Sequence, residues 1–230
     1  MTHLLLADHY HRLWQEALPL IERQGFDFDP LLDSSKDQRF GITLLIRPGE
    51  EVKASIQEFI EEVRKADPNQ YFYPNSDIHI TVMPIISCYE GFQIKNIKIE
   101  EYINLLKECL REIPSFNIDC QGITASPSCL MVKGFPSDLN LENIRNRLRL
   151  AFRQADLEQS LDKRYPLQTA HATVVRFRNK VKDPSRILQI IDQWKDHDFG
   201  TSKVFSLELV FNDWYQRKQK VDHLFTFNLE

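Results

Sequence analysis

The sequence has few of the residues that support covalent cross-links, and it lacks the segments that mark secretion or membrane insertion. Its four cysteines form no Cys-x-x-Cys pair and no spacing typical of a metal site; they are Cys88, Cys109, Cys120 and Cys129. No apolar run approaches the roughly 20 residues that span a bilayer. The N-terminal stretch MTHLLLADHYHRL has neither a basic leader nor a cleavage signal. These absences predict free thiols in a reducing cytoplasm and no membrane partner.

Motifs for nucleotide triphosphates, dinucleotides and zinc are also missing. The chain contains no GxxxxGK[ST], no GxGxxG and no HExxH. Its formal net charge is -4, from 29 basic and 33 acidic residues. This balance argues against tight nonspecific binding to DNA or to long RNA, although it leaves room for a small basic pocket. ATP-driven ligation has no support in the sequence.

What the sequence does contain is an ordinary folded composition with alternating strand and helix patterns. Hydrophobic residues make up 42% and charged residues 27% of the 230 positions, which is typical of a folded protein. Apolar residues at helical spacing follow Asp8 and continue to Gly25, and an irregular connector follows. We therefore divide the chain into an N-terminal helix and connector, 1–38, and one larger domain, 39–230.

Within that domain the pattern predicts strands and helices in two similar halves. The first half reads as the strand FGITLLIRPG, a helix over 50–66, a strand over 78–86 and a helix over 99–113. The second half begins with a hairpin of FNIDCQGITA and CLMVKGFP, followed by a helix over 141–157, the strand AHATVVRF and a helix from Pro184 to Trp194. KVFSLELVFND and HLFTFNL then read as two closing strands.

One short pattern occurs in both halves at the same position. YPNSDIHITV spans 73–82 and YPLQTAHATV spans 165–174, so Tyr, Pro, His, Thr and Val recur at the same five places. A duplicated αβ unit explains this repeat, with the two halves packed about a pseudo-two-fold axis. One half alone would expose an apolar sheet face, which favours a single domain over two.

The repeated His-x-Thr places two polar side chains on one face of each strand. Residues two apart on a strand point the same way, so His79 projects with Thr81, and His171 with Thr173. If the halves face each other, two imidazoles and two hydroxyls meet in one space. One neutral and one protonated histidine can act as base and acid near pH 7, and the hydroxyls can hold an anion such as a phosphate diester. This chemistry requires no metal or other cofactor.

Several other residues receive a structural interpretation. By strand parity, Arg176 points away from His171, which favours an ion pair over a phosphate contact. Trp214 and Tyr215 suit either base stacking or edge-strand packing, so neither is assigned a role. On a helix His9 and His11 diverge and would not chelate a metal together.

The two motifs HITV and HATV resemble the signatures of the 2H phosphoesterase superfamily, especially its bacterial and archaeal LigT-like branch, the 2'-5' RNA ligases. The resemblance covers roughly residues 40 to 230. It implies an α+β, duplicated and two-lobed fold, in which two mainly antiparallel sheets face a central cleft with helices outside. The first 38 residues have no counterpart in the minimal family fold.

The resemblance also implies an activity. It is the metal-independent hydrolysis of a 2',3'-cyclic phosphate at a nucleotide or RNA end, with 2'-5' ligation as the reverse type of reaction. His79 and His171 carry over as the acid-base pair, in either order, and Thr81 and Thr173 as phosphate holders. Two alternatives use the same residues: a noncatalytic nucleotide- or phosphate-binding module, and a phosphoesterase acting on a cyclic phosphate outside RNA. The sequence leaves the oligomeric state open, and a monomer is compatible with each of these functions.

Overall fold

Helices form in this protein where apolar residues recur every three to four positions. The computed structural model describes residues 3–163 and 166–230; Tyr165, the first residue of the second Tyr-Pro, lies outside these ranges. The described α-helices are α1 (His3–Gln24), α2 (Glu50–Ala66), α3 (Ile99–Leu110), α4 (Asn140–Gln154) and α5 (Pro184–Trp194). Asp183 caps α5, because its side chain accepts a hydrogen bond from the Arg186 amide.

Nine strands of the described residues form one mostly antiparallel sheet. They are β1 (Arg39–Ile46), β2 (Tyr71–Phe72), β3 (Ile80–Glu90), β4 (Phe116–Ser126), β5 (Cys129–Pro136), β6 (Ala172–Arg176), β7 (Asp198–Val204), β8 (Ser206–Asp213) and β9 (Asp222–Asn228). Their spatial order is β7-β4-β5-β6-β3-β1-β8-β9, and β2 pairs with β6 off this path.

The sheet divides into two lobes whose motif strands meet at the centre. The first lobe contains β3, β1, β8 and β9, and the second contains β6, β5, β4 and β7. A single residue pair, Ile80 with Ala172, links β3 to β6. The predicted α+β fold with two facing lobes is confirmed, and this pair joins the two predicted sheets into one.

The helices are exchanged between the lobes. Helix α2 follows β1 of the first lobe but contacts β7 of the second, and α4 follows β5 of the second lobe but contacts β3 of the first. Each lobe thus carries one helix from each half of the chain, α3 with α4 and α2 with α5. Their apolar faces and the sheet form one continuous core, which includes Ala17 and Ile21 of α1.

Two details differ from the sequence-based prediction. The stretch KVFSLELVFND was predicted as one strand. It forms the end of β7 in the second lobe and all of β8 in the first lobe. The chain leaves the second lobe at Phe205, which is 59% exposed between the two strands. Apolar patterning could not reveal this crossing, because both strands bury alternate residues. Helix α1 also extends back to His3, ahead of Asp8, after which the apolar spacing predicted the helix. No helix among the described residues is both long and apolar enough to cross a bilayer.

Candidate active site

A cavity of about 200 Å³ lies where the two motif strands meet. All four residues of the two His-x-Thr motifs line it, namely His79, Thr81, His171 and Thr173. The other lining residues are Thr43, Tyr73, Pro84, Ser87, Cys88, Ser160, Asp162, Leu167, Arg176, Asn212, Trp214 and Gln216. Both halves of the chain therefore contribute to one polar space.

The pairing of Ile80 with Ala172 determines how the motifs face each other. In an antiparallel pair the flanking residues are also opposite one another, so His79 lies beside Thr173 and Thr81 beside His171. Ile80 is fully buried and Ala172 is 2% exposed. Both side chains belong to the hydrophobic core, on the face of the strands opposite the histidines. Each histidine thus has a hydroxyl of the other half as its neighbour across the strands.

Both motif strands carry a β-bulge directly after the threonine. On β3, Thr81 pairs with Leu45 and Met83 with Leu44, so Val82 has no partner on β1. On β6, Thr173 pairs with Met131 and Val175 with Leu130 in the same way. An extra residue of this kind reverses the alternation of side chains beyond it. The third residue after each threonine consequently returns to the cavity side of the strand.

This bulge overturns the sequence-based placement of Arg176. Regular alternation predicted that Arg176 points away from His171, in an ion pair, but its side chain lines the same cavity. Its Nε donates to the Tyr73 hydroxyl at 3.1 Å, and its guanidinium lies 5.7 Å from the centre of the Tyr215 ring. No carboxylate of the described residues forms a salt bridge with it. The position equivalent to Arg176 in the first half is Pro84, which also lines the cavity.

Tyr73 of the repeated Tyr-Pro reaches the site from the other half of the chain. Its amide donates to the Val174 carbonyl at 3.0 Å, so the segment after β2 continues alongside β6. The ring is 2% exposed, and the hydroxyl holds Arg176 in place. The repeat in the sequence marked Tyr73, but only the pairing of β2 with β6 shows that it acts across the two halves.

The two histidines have different hydrogen-bond partners. His79 Nδ1 donates to the Asp77 carbonyl oxygen at 2.8 Å. A carbonyl can only accept, so this bond fixes the Nδ1 proton and leaves Nε2 as the open ring nitrogen. His171 Nδ1 lies 2.7 Å from the Thr169 hydroxyl, which can donate or accept. His171 therefore keeps its hydrogen bond in either protonation state.

Burial changes the charge expected on both rings. Partial burial lowers the pKa of His79 to about 4, despite the Asp77 carbonyl, which favours the protonated ring. Burial likewise lowers the pKa of His171 to about 4, and the positive charges of Arg145 and Arg176 act in the same direction. Both rings are thus neutral at pH 7 while the cavity holds no anion.

Trp214 also lines the cavity. The guanidinium of Arg39 lies 4.7 Å from the centre of the Trp214 ring, and Asp37 binds Arg39 through two oxygens at 2.8 Å. Composition alone left Trp214 between stacking and packing, and its place in the cavity wall favours ligand contact. No group of three histidines, cysteines or carboxylates within the described residues could hold a metal ion.

Comparison with known families gives one match to this chain. The family described as AKAP7 2'5' RNA ligase-like domain matches residues 42–221, which include both His-x-Thr motifs. A search of curated proteins gave no match.

Solved structures share the fold at low sequence identity. TT0787 of Thermus thermophilus is 16% identical with a TM-score of 0.57, covering 82% of this chain and 97% of its own. Escherichia coli LigT complexed with 3'-AMP is 14% identical with a TM-score of 0.55, covering 84% and 98%. ATU0111 of Agrobacterium tumefaciens is 15% identical with a TM-score of 0.55, covering 89% and 95%.

Proposed function

Because this chain belongs to the AKAP7 2'5' RNA ligase-like domain family, of 2H phosphoesterase fold, we propose that it hydrolyses 2',3'-cyclic phosphates at nucleotide or RNA ends without a metal. The observation that carries the proposal is the convergence of both His-x-Thr motifs on one small polar cavity. Ligation of RNA ends through a 2'-5' bond is the same type of reaction run in reverse. The free thiols of the described cysteines fit a reducing compartment, and we place the activity in the cytoplasm.

The groups around the cavity match the needs of an in-line displacement at phosphorus. Thr81 and Thr173 offer hydroxyl donors from opposite strands, and Arg176 supplies a positive charge, so nonbridging oxygens of a phosphate find donors on both sides. Charge that develops on these oxygens in the transition state strengthens the same bonds. The two imidazoles can then transfer protons, one from the attacking water and one to the leaving oxygen.

The hydrogen bonds of the histidines favour one assignment of roles. His79 Nε2 carries no proton in the neutral ring because Asp77 fixes the proton on Nδ1, so His79 is the base that takes a proton from water. The water oxygen bonds to phosphorus while the ring P–O bond breaks. His171, once protonated, gives its Nε2 proton to the leaving oxygen, and the Thr169 hydroxyl accepts from Nδ1 during this step.

A short nucleotide end suits the cavity better than a long RNA. The net charge of -4 gives no general attraction for a polyanion. The positive charge of Arg176 in the cavity is enough to bind a single phosphate group. Trp214 offers an aromatic surface at the cavity wall, where a nucleobase can stack. The E. coli LigT crystallised with 3'-AMP is a precedent for nucleotide binding by this fold.

The decisive experiment measures turnover of 2',3'-cyclic nucleotides and of a short RNA with a cyclic phosphate end, in EDTA. We expect hydrolysis by the unaltered protein, and a loss of at least about 100-fold in His79→Ala and His171→Ala. The matched control is His223→Ala, because this exposed histidine bonds only Thr226 among the described residues. Hydrolysis that persists in both motif variants, or that requires an added divalent ion, would overturn the proposal.

A noncatalytic nucleotide-binding module is the second candidate. The neutral state of both histidines at pH 7 favours it, since two neutral rings hold a ligand without transferring protons. Calorimetric titration with 3'-AMP separates the two functions. Nucleotide binding without turnover of any cyclic phosphate would establish the module, whereas turnover lost in both motif variants with some binding retained would establish the enzyme.

A further inference from the structure

A buried arginine on α4 connects the two His-x-Thr motifs from behind the cavity. Arg145 is 4% exposed, and all its hydrogen bonds to described residues go to backbone carbonyls. Nε donates to Val82 at 2.9 Å, and Nη2 donates to Thr81 at 3.0 Å and to Thr169 at 2.7 Å. It forms no salt bridge with a carboxylate of the described residues. Arg145 therefore holds both motif segments while its charge stays unpaired.

The divergence of the motif strands explains why these carbonyls need a donor. Strands β3 and β6 share only the pair Ile80–Ala172, because further pairing would close the cavity between them. Where the two strands diverge, their backbone carbonyls lose the amide donors that a neighbouring strand normally provides. A buried carbonyl without a donor lowers the stability of the fold. The bulge at Val82 brings two consecutive carbonyls, of Thr81 and Val82, to the same guanidinium. In a regular strand they would point in opposite directions.

We propose that Arg145 is a positioning residue of this site, which fixes the separation of the two motifs and places an unpaired positive charge beneath the bound phosphate. The planar fork of an arginine reaches three carbonyls at fixed angles, which a lysine ammonium does not reproduce. The identity of the anion as a phosphate rests on the proposed function. The three hydrogen bonds of Arg145 and its positive charge do not depend on that function.

The charge of Arg145 also acts on the neighbouring histidine. The charged or titratable groups around His171 include two arginines, Arg145 on α4 and Arg176 on β6. The others are His79 across the strands and, in the cavity lining, Tyr73, Cys88 and Asp162. Burial lowers the pKa of Arg145 to about 10, so it is protonated at pH 7. Its charge lowers the pKa of His171, and removing the charge should raise that pKa.

The test compares Arg145→Met, Arg145→Lys and a matched control on the same helix. Arg147 also donates to two backbone carbonyls, of Cys109 and Arg111, but these lie at the end of α3 away from the cavity. NMR titration of the histidine ring signals gives a readout that does not depend on turnover. kcat and KM for a 2',3'-cyclic nucleotide give the second readout.

In Arg145→Met we expect a higher His171 pKa and a loss of about 10- to 100-fold in kcat, the scale of a misplaced catalytic group. Arg147→Met should change neither quantity. Arg145→Lys should keep the His171 pKa low but still lose kcat, and it carries the test alone if the Met variant does not fold. An unchanged His171 pKa in folded Arg145→Met, or wild-type kcat in Arg145→Lys, would overturn the inference. If no variant or parent turns over, the proposed function fails, while the histidine titration still decides the role of Arg145.

Discussion

Single residues determine the protonation behaviour of this site. His79 and His171 have an ordinary pKa near 6.5 as free side chains, and that value predicted that the pair acts as base and acid near pH 7. The structure lowers both pKa values to about 4, mainly because both rings are partly buried. Sequence reasoning found the residues but not this shift, because Thr43 and Trp214, which help to line the cavity around both rings, come from distant segments of the sequence.

A pH profile tests this difference. The kcat/KM profile reports groups of the free protein, and catalysis needs one proton on the histidine pair. With both pKa values at about 4, that singly protonated form is most populated near pH 4 and declines about tenfold per pH unit above it. We therefore expect kcat/KM to fall as the pH rises from 5 to 8.

The kcat profile serves as the internal comparison. A bound phosphate anion favours the protonated imidazole, so it raises both pKa values and moves the maximum of kcat to higher pH than that of kcat/KM. Steady-state rates measured from pH 5 to 8 separate the two curves. A kcat/KM maximum at pH 7, or one profile for both constants, would show that burial does not control these histidines.

At the scale of secondary-structure elements, the paired bulges on β3 and β6 decide which side chains enter the cavity. The sequence was sufficient to locate both motif strands, because apolar residues alternate with polar ones up to each threonine. Beyond the threonine, the alternation rule placed Arg176 on the wrong side. Val174 and Val175 are consecutive and both fully buried, and the ladder with β5 skips Val174, so this apolar pair contains the bulge. Two adjacent apolar residues after His-x-Thr are therefore the signal that could have predicted the bulge.

The bulge leads to a prediction for phosphate binding. Arg176→Met should weaken binding of inorganic phosphate or of 3'-AMP by about 10- to 100-fold, because a charge-assisted hydrogen bond contributes about 1.5–3 kcal/mol. Isothermal titration calorimetry measures this directly. The control is Arg178→Met, two residues further along, where the guanidinium binds Asp33 at 2.8 Å and is 37% exposed.

Equal affinities in the Arg176 and Arg178 variants would contradict the role given to the bulge. The Arg176 variant also loses its bond to Tyr73, so its fold should be checked by circular dichroism. Tyr73→Phe keeps the arginine but removes its anchor, and we expect it to bind phosphate less tightly than the parent and more tightly than Arg176→Met.

At the scale of the whole molecule, the exchange of helices between lobes joins two halves into one unit. Internal similarity in the sequence predicted two related halves and their pseudo-two-fold axis. It could not predict that α2 covers the second lobe and α4 the first. The apolar pattern of a helix shows which face is buried but not which part of the sheet that face contacts. This exchange is what brings Arg145 of α4 behind β3, and Gln57 of α2 to the Tyr73 carbonyl at 3.1 Å.

Helix α1 lies outside the residues matched by the family and yet supports the second motif. The Tyr10 hydroxyl accepts hydrogen bonds from the amides of Ala170 and Gly134, at 3.1 and 3.3 Å, and donates to the Gly134 carbonyl. Ala170 directly precedes His171. A Cβ at Gly134 would lie 2.0 Å from the Ala170 carbonyl oxygen, so the two segments approach too closely for another residue. The hydroxyl thus serves backbone groups on both sides of this close contact.

Removing that hydroxyl tests how much the hydrogen bonds between α1 and the second motif segment stabilise the fold. Tyr10→Phe leaves two buried amides without this acceptor, and an unsatisfied buried donor costs about 1–3 kcal/mol. We expect the free energy of unfolding, measured with urea, to fall by about this amount. Tyr89→Phe is the control, because Tyr89 is 44% exposed and its hydroxyl bonds the surface carboxylate of Glu158, so its loss should change stability by less than about 0.5 kcal/mol. If the two variants unfold at the same urea concentration, the Tyr10 hydroxyl contributes no more than a surface contact. A selective loss in Tyr10→Phe would instead show that the backbone next to His171 depends on a helix beyond the family's common fold.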